Sequence, residues 1–137
     1  MRYFNKNSLD YNFIDKIEAG LVLTGSDAKS LRTQGISFSS AKVEIINNRP
    51  FLINLNIPIY KFASQNNNYD SSRNRALLLS LKQIAKLISY RKQKYMIIPI
   101  TIYLKHNFFK VELGIGRKMR KYEKRQKIRN KQTKQRY

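Results

Sequence analysis

The sequence predicts a mainly β fold with two or three helices and a basic C-terminal tail. Several short stretches alternate apolar with polar residues, which is the two-residue period of a β-strand. Turn-forming residues separate two pairs of these stretches, as in hairpins. Residues 117–137 hold eleven Lys and Arg against one acid. Their apolar residues are too sparse to build a stripe against the rest of the chain, so they are set apart as a tail.

The N-terminal part begins without a pattern. Residues 1–10 are polar with no sustained period, and we expect a flexible arm there. Over residues 11–23 the apolar side chains fall largely on odd positions. This predicts one strand, or two broken ones, with an irregularity near Ile14.

A short helix is expected next. Thr24 or Ser26 can cap its start, and Gly35 can provide a C-terminal stop. Such a helix would present Lys29 and Arg32 to solvent.

Two hairpins and a second helix complete the predicted elements. Residues 41–46 and 51–57 form apolar, β-branched runs around an NNRP turn, and residues 98–104 and 109–115 alternate around a turn at KHN. Residues 61–75 are polar and without a period, which indicates a functional loop or disorder. A helix is predicted from about residue 81 to 91, with Ser80 and Gln83 at capping-box spacing.

Five or six short, mostly antiparallel strands with two or three flanking helices predict a small closed OB-like β-barrel, because closure removes exposed strand edges. We place this barrel over residues 11–116. The tail of residues 117–137 has good helix propensity, but its like charges repel. We therefore expect it to be disordered alone and helical when bound.

The charge of the chain indicates a polyanionic partner. Lys and Arg number 28 against 8 Asp and Glu, a net charge of +20, and half of this excess lies in the tail. The chain has no cysteine, which fits a reducing compartment, and we expect a cytoplasmic protein. Its longest apolar runs reach about half the length of a membrane-spanning helix, so no membrane association is expected.

Catalysis is not expected from this sequence. His106 is the only histidine and lies in a predicted turn. There is no Cys or His cluster for a transition metal, no Gly-rich phosphate loop, and no close pair of acids typical of a metal-dependent nuclease. We predict a protein that is not an enzyme and that has no cofactor and no metal.

RNA is the favoured polyanion. Lys and Arg gain affinity by releasing counterions from phosphates, and the nine Tyr and seven Phe offer stacking surfaces, although most of these rings should be core. Glu18 is either a solvent-facing strand charge or an acceptor for base amino groups or a ribose hydroxyl. Lys29 with Arg32 could be an ordinary solvated charge pair or an RNA contact.

Three motifs in order resemble the SsrA-binding protein family, also called small protein B. EAGLVLTGSDAKSLR, residues 18–32, is similar to the family's most recognisable stretch. Residues 70–79 match a D-x-x-R-x-R-x-LLL pattern, and KVELGIGRKMRKYEKR, residues 110–125, matches the third motif. Asn5 and Lys6 resemble the family's start. The resemblance spans nearly the whole chain.

This resemblance implies an OB-like barrel that binds the tRNA-like domain of transfer-messenger RNA. It implies delivery of that RNA to the A site of a ribosome stalled on an mRNA without a stop codon. The tail would then enter the empty mRNA channel as a helix. The resemblance places the RNA-contacting acid on Glu18 and the RNA-binding leucine on Leu78.

Together, residue patterns and resemblance give two sets of candidate residues. The candidate RNA-binding residues are Glu18, Lys29, Arg32, Arg73, Arg75, Leu78, Ser80 and Lys110. The candidate tail residues for the ribosome and the mRNA channel are Arg117, Lys118, Tyr122, Glu123, Lys124, Arg125, Lys127 and Arg129.

The expected partners are transfer-messenger RNA and the ribosomal RNA of the decoding centre and mRNA channel. Elongation factor Tu and alanyl-tRNA synthetase are further expected partners, reached through the RNA by a monomeric protein. The alternative hypothesis is a small basic structural protein of the ribosome. An organelle is the alternative location.

The chain departs from the family pattern at identifiable positions. Ser80 stands where many members have Asn or His. In the third motif, Gly116, Lys118 and Met119 replace Ala, Gly and Lys, which predicts a different hinge at the start of the tail.

Overall fold

The computed structural model describes residues 2–33, 35–58 and 71–135. Most of the predicted loop at residues 61–75 therefore lies outside the described residues. The strands are β1 (Arg2–Phe4), β2 (Tyr11–Leu21), β3 (Lys42–Ile46), β4 (Arg49–Ile53), β5 (Arg75–Leu78), β6 (Met96–Lys105) and β7 (Phe108–Lys118). The helices are α1 (Gly25–Thr33), α2 (Leu81–Lys92) and α3 (Lys121–Gln135), with a 3-10 helix at Lys6–Asp10.

The described strands form one antiparallel sheet in the order β1-β6-β7-β2-β5-β4-β3. The mainly β prediction is confirmed. The predicted closure is not found, because the hydrogen-bonded ladder of the described strands begins at β1 and ends at β3. The sheet nevertheless curls until β3 lies against β6. One apolar cluster fills the curl, with Leu52, Leu55, Ile102 and Val111 fully buried.

The first ten residues differ from the expected flexible arm. Arg2, Tyr3 and Phe4 pair with Tyr103, Ile102 and Thr101 of β6. Asn5 then caps the 3-10 helix and donates its side-chain amide to the Pro99 carbonyl at 2.8 Å. The alternation of a three-residue edge strand is too short to recognise in a sequence.

The irregularity predicted near Ile14 is confirmed as a register shift between Phe13 and Asp15, where β2 pairs with β7. Two side chains of α2, which lies outside the sheet, contact Asp15 at this register shift. Asp15 accepts a hydrogen bond from Tyr90 at 3.0 Å and pairs with Lys86 at 2.8 Å, both from α2. The Lys86 bond is the main cause that lowers the pKa of Asp15.

The predicted helix boundaries are close to those observed. Thr24 caps α1 by accepting from the Asp27 backbone N–H at 3.1 Å, and Gly35 has a φ of +83° that suits its role as a stop. At α2 the predicted capping box is present, with Ser80 Oγ accepting from the Gln83 N–H at 3.2 Å.

Both predicted hairpins form, but their turns are shorter than the NNRP and KHN stretches. The turn of the first hairpin is Asn47 and Asn48, both with positive φ, and that of the second is His106 and Asn107. Two positive φ values suit the tight two-residue turns that match strand twist. Strand β5 was not predicted, because its four residues lack a repeat long enough to detect.

Candidate nucleic-acid interface

A row of paired residues crosses five strands on the face of the sheet opposite the core. Leu78 pairs with Gly20, Gly20 with Lys110, Lys110 with Tyr103, and Tyr103 with Arg2. Directly paired residues point to the same side of a sheet. We call this surface the outer face.

Glu18 belongs to the outer face because it lies two residues from Gly20 on β2. Its carboxylate accepts a hydrogen bond from the Tyr103 hydroxyl and lies 3.8 Å from the Lys105 ammonium. The Tyr103 bond is the largest cause that lowers the pKa of Glu18, and Lys105 and Lys110 lower it further. An exposed carboxylate that stays ionised beside several cations can accept hydrogen bonds from base amino groups or ribose hydroxyls.

The Tyr103 side chain contacts Glu18 through its hydroxyl and Arg2 through its ring. Burial, followed by the Glu18 contact, raises the pKa of Tyr103 to about 12, so its hydroxyl stays a proton donor. The Arg2 guanidinium lies 5.1 Å from the centre of the Tyr103 ring. Sequence reasoning missed Arg2, Tyr103 and Lys105, since only strand pairing brings them to Glu18.

Leu78 lies at the other end of the row, on β5. Its side chain is 66% exposed and so remains accessible to a ligand. Lys110, in the centre of the row, is the cation between Leu78 and Tyr103. The outer face therefore combines an apolar end, a central cation and two carboxylates, those of Glu18 and of Glu112, its direct partner on β7.

Arg75 is not part of this surface, although it was a candidate RNA-binding residue. Its side chain is 0% exposed and donates to the backbone oxygens of Leu55 at 2.8 Å and Ser71 at 3.0 Å. It also pairs with the buried Asp27 carboxylate at 3.4 Å. The guanidinium is enclosed, and its role in this fold is to join β5 to α1.

Arg73 shares the Asp27 carboxylate with Arg75 but remains partly exposed. It is therefore the arginine of this pair that can still reach a ligand. Two arginines spaced two residues apart thus serve as cationic partners of one buried carboxylate.

The other candidates lie around the body. Lys29 and Arg32 are exposed on α1, as predicted, and the Arg32 guanidinium lies 5.8 Å from the centre of the Phe109 ring. Ser80 is exposed, and its hydroxyl is engaged in capping α2. Arg32 therefore borders the sheet near β7, and Ser80 follows Leu78 closely.

The tail begins later than the sequence suggested. Arg117 and Lys118 are the last residues of β7, where they pair with Asn12 and Tyr11. The Arg117 guanidinium lies 4.5 Å from the centre of the Tyr95 ring. A side chain at Gly116 would collide with the Asn12 carbonyl oxygen, which explains why this chain has glycine there.

Met119 lies at the predicted hinge between β7 and α3. It is only 7% exposed, and its backbone N–H donates to the Asp10 carbonyl at 2.8 Å. Lys124 pairs with the Asp10 carboxylate at 2.6 Å. These contacts hold the first turns of α3 against the 3-10 helix. The expected disorder of the tail in the free protein stays a prediction. A tertiary anchor of this kind offsets the cost of helix nucleation.

The remaining tail candidates face outward. Tyr122 is exposed, as are Arg125, Lys127 and Arg129. The Glu123 carboxylate accepts from the Arg120 backbone N–H at 3.3 Å, which caps the helix. α3 thus presents a strongly basic surface beyond the body.

The described part of the chain shows neither a helix that is long and apolar enough to cross a membrane nor a cluster of three or more side chains suited to a metal ion.

This sheet face and basic helix, on a chain with a net charge of +20, define a small nucleic-acid-binding protein of antiparallel β architecture. The model of one protein family, described as "SmpB protein", matches residues 3–137. The chain belongs to this family, the SsrA-binding proteins.

Relatives and a solved structure agree with that membership. The SsrA-binding protein of Lactobacillus johnsonii is 43% identical over 124 residues, covering 90% of this chain and 82% of the relative. That of Bacillus pumilus is 38% identical over 130 residues, covering 94% and 83%. A solved structure described as "tmRNA-SmpB: a journey to the center of the bacterial ribosome" aligns with a TM-score of 0.72 and 30% identity, covering 88% of this chain and 85% of that one.

Proposed function

We propose that this protein binds the tRNA-like domain of transfer-messenger RNA through the outer face and delivers that RNA to the A site of stalled ribosomes for trans-translation. The observation that carries the proposal is that Glu18 and Leu78 lie on the same face of the sheet. These residues come from separate sequence motifs, and strand pairing brings them to one face with Lys110 beside them.

Each part of the outer face suits a different feature of a folded RNA loop. Lys110, Lys105 and Arg2 are cations for phosphates. Glu18 accepts hydrogen bonds from base amino groups or ribose hydroxyls, which no cation can do. Leu78 offers an apolar contact to an unstacked base. A loop with splayed bases can use all three at once, whereas a regular duplex hides its base edges.

The tail has a separate role in this proposal. α3 enters the empty mRNA channel, and Arg125, Lys127 and Arg129 contact the phosphates of the channel's ribosomal RNA. Tyr122 is placed to stack on a base near the decoding centre, since it is exposed in the first turn of the helix. Delivery then depends on the outer face, and recognition of the empty channel depends on the tail.

The protein acts in this scheme as a monomeric, cytoplasmic RNA-binding factor and not as a catalyst. Elongation factor Tu and alanyl-tRNA synthetase contact it through the bound RNA. Support for RNA binding comes from the chemistry of the outer face, where the Glu18 carboxylate contacts a tyrosine hydroxyl and a lysine ammonium.

The direct test is a competition assay. Full-length protein is mixed with a labelled tRNA-like domain of transfer-messenger RNA at physiological salt, and either unlabelled tRNA-like domain or a ribosomal RNA fragment of equal length is added. We expect the first competitor to displace the label at a concentration at least about tenfold lower, equivalent to about 1.4 kcal/mol. Equal competition would instead favour a structural protein of the ribosome.

A further inference from the structure

A polar cleft lies on another part of the molecule, away from Glu18 and Leu78 of the outer face. It has a volume of about 280 Å³ and lies between the 3-10 helix, the start of β2 and the segment that leads into β3. Tyr11 lines this cleft and is seven residues before Glu18 on β2, a separation of about 23 Å along an extended strand. An RNA group in the cleft would therefore be distinct from one bound at Glu18.

The cleft is held open by hydrogen bonds. The Asn5 backbone N–H donates to the Ile100 carbonyl at 2.8 Å, and its side chain accepts from the Asn7 N–H at 3.1 Å. The Asn7 side-chain amide donates to the Ser39 carbonyl at 3.2 Å, which ties the 3-10 helix to the opposite wall. A preformed cleft loses little freedom when a ligand enters.

Its lining combines three kinds of group. Tyr11 and Phe38 supply aromatic rings for stacking, and Asn7 and Asn54 supply amides that can both donate and accept hydrogen bonds. Lys42 supplies a cation at the same cleft.

The electrostatics also favour an anion at this cleft. The Lys42 ammonium lies 3.7 Å from Glu44, and the Arg91 guanidinium lies 3.5 Å from the same carboxylate oxygen. Two cations therefore share one carboxylate, which leaves a positive charge at the edge of the cleft.

We propose that this cleft binds a single extruded nucleotide of an RNA, with its base among Tyr11, Phe38 and the two amides and its phosphate near Lys42. Stacking on aromatic rings combined with hydrogen bonds to the base edge is how proteins read unstacked RNA bases. The volume of about 280 Å³ is just below the roughly 300–1,000 Å³ of ligand pockets, which suits one nucleotide and not a longer segment. The inference rests on RNA binding as the protein's function, and it adds a second point of contact.

The test uses full-length protein labelled with ¹⁵N and titrated with each of the four nucleoside 5′-monophosphates. We expect at least one of them to shift the side-chain amide signals of Asn7 and Asn54, while inorganic phosphate at equal concentration leaves them in place. Asn54→Gly combined with Lys42→Gln should weaken this binding about tenfold, since it removes a hydrogen-bonding amide and a charge.

The matched control is Asn48→Gly. Asn48, like Asn54, is an exposed asparagine with a φ of +61°, but it lies in the β3–β4 turn. It should bind nucleotides like the wild type. Equal shifts with phosphate alone would show an anion site only, and unchanged affinity in the double variant would place the nucleotide elsewhere. Either result overturns the proposal.

A further variant separates this inference from the proposed function. Glu18→Ala should lose affinity for the tRNA-like domain and keep the nucleotide-induced shifts at Asn7 and Asn54. Loss of those shifts in Glu18→Ala would mean that the two sites are one, which contradicts the inference. If the wild type shows these shifts but no preference for the tRNA-like domain, the proposed function fails and the nucleotide cleft stands.

Discussion

Gly20 and Leu78 are paired across β2 and β5, and the missing side chain of Gly20 leaves the space in which Leu78 lies. A Cβ atom added at Gly20 would be 3.2 Å from the Leu78 Cβ, which is closer than side chains normally approach. The glycine of the EAG motif and the leucine of the LLL motif are therefore one structural unit. Two motifs that seem independent in the sequence depend on each other in the fold.

The first prediction concerns this unit. Leu78→Ala should weaken binding of the tRNA-like domain about tenfold, because the apolar contact is lost. It should change the free energy of unfolding by less than about 0.5 kcal/mol, since Leu78 is largely exposed. Gly20→Ala should displace Leu78 and weaken binding by a smaller factor. A filter-binding titration measures affinity, and urea unfolding measures stability.

Leu81→Ala is the control for this prediction. Leu81 is 86% exposed and only three residues away, at the start of α2. Equal loss of affinity in the Leu81 and Leu78 variants would show that general exposure of apolar surface, and not the outer face, binds the RNA.

A second prediction follows from the contact between Tyr103 and Glu18. Tyr103→Phe removes the hydrogen bond that contributes most to lowering the pKa of Glu18, so this pKa should rise towards its ordinary value of 4.5. The stability that Glu18 contributes is complete above pH 4.5 and is lost as the pH falls through its lower folded-state pKa. In the variant, protonation should begin at higher pH.

The measurement is a ¹³C NMR titration of the Glu18 carboxyl group between pH 2.5 and about 6, the range that brackets an ordinary Glu pKa. Tyr122→Phe is the control, because Tyr122 lies in α3 and is exposed. An unchanged Glu18 titration in Tyr103→Phe would show that the hydroxyl does not hold the carboxylate.

The third prediction separates two neighbouring arginines. Arg75→Ala should lower the free energy of unfolding by about 3–5 kcal/mol, because it leaves the buried Asp27 carboxylate without its enclosed partner. Arg73→Ala should cost about 1–2 kcal/mol, since its side chain is partly exposed and water can replace it. Urea denaturation followed by circular dichroism gives both values. A stable Arg75→Ala protein that has lost RNA affinity would contradict the structural role assigned to Arg75.

The fourth prediction concerns the tail. A protein that ends at Lys121 should bind the tRNA-like domain with an affinity within about threefold of that of the full chain at physiological salt, because the outer face is intact. The Lys and Arg side chains that are removed contribute mainly salt-dependent affinity. The same protein should fail to support peptide tagging in a reconstituted translation system with a truncated mRNA. Efficient tagging without residues 122–137, or loss of RNA binding, would contradict the division of roles between body and tail.

Much of the fold was predictable because its signals are local. The alternation in β2, β6 and β7, the cap at Ser80, the stop at Gly35 and the irregularity near Ile14 each depend on neighbouring residues. β1 and β5 were missed because three or four residues cannot show a period. Their positions depend on pairing with β6, β2 and β4, which are distant in the sequence.

The candidate site was predictable in part. The motifs indicated Glu18 and Leu78, and the charge of the tail indicated a polyanion, but a motif cannot show whether a charged residue is exposed. Arg73 and Arg75 have the same chemistry and lie two residues apart, yet Arg75 is enclosed and Arg73 is not.

By itself, the sequence determined the mainly β class, the basic character, the family and the turns and caps, since each depends on composition or on contacts within a few residues. Only the tertiary structure decided which side chains meet. It places the Tyr103 hydroxyl in a hydrogen bond with Glu18 and buries Arg75 in an ion pair with Asp27. It also brings the Met119 backbone and the Lys124 side chain into contact with Asp10. The physical reason is that burial and pairing are set by residues far apart along the chain, and the free energy of a charged or apolar side chain depends on those neighbours.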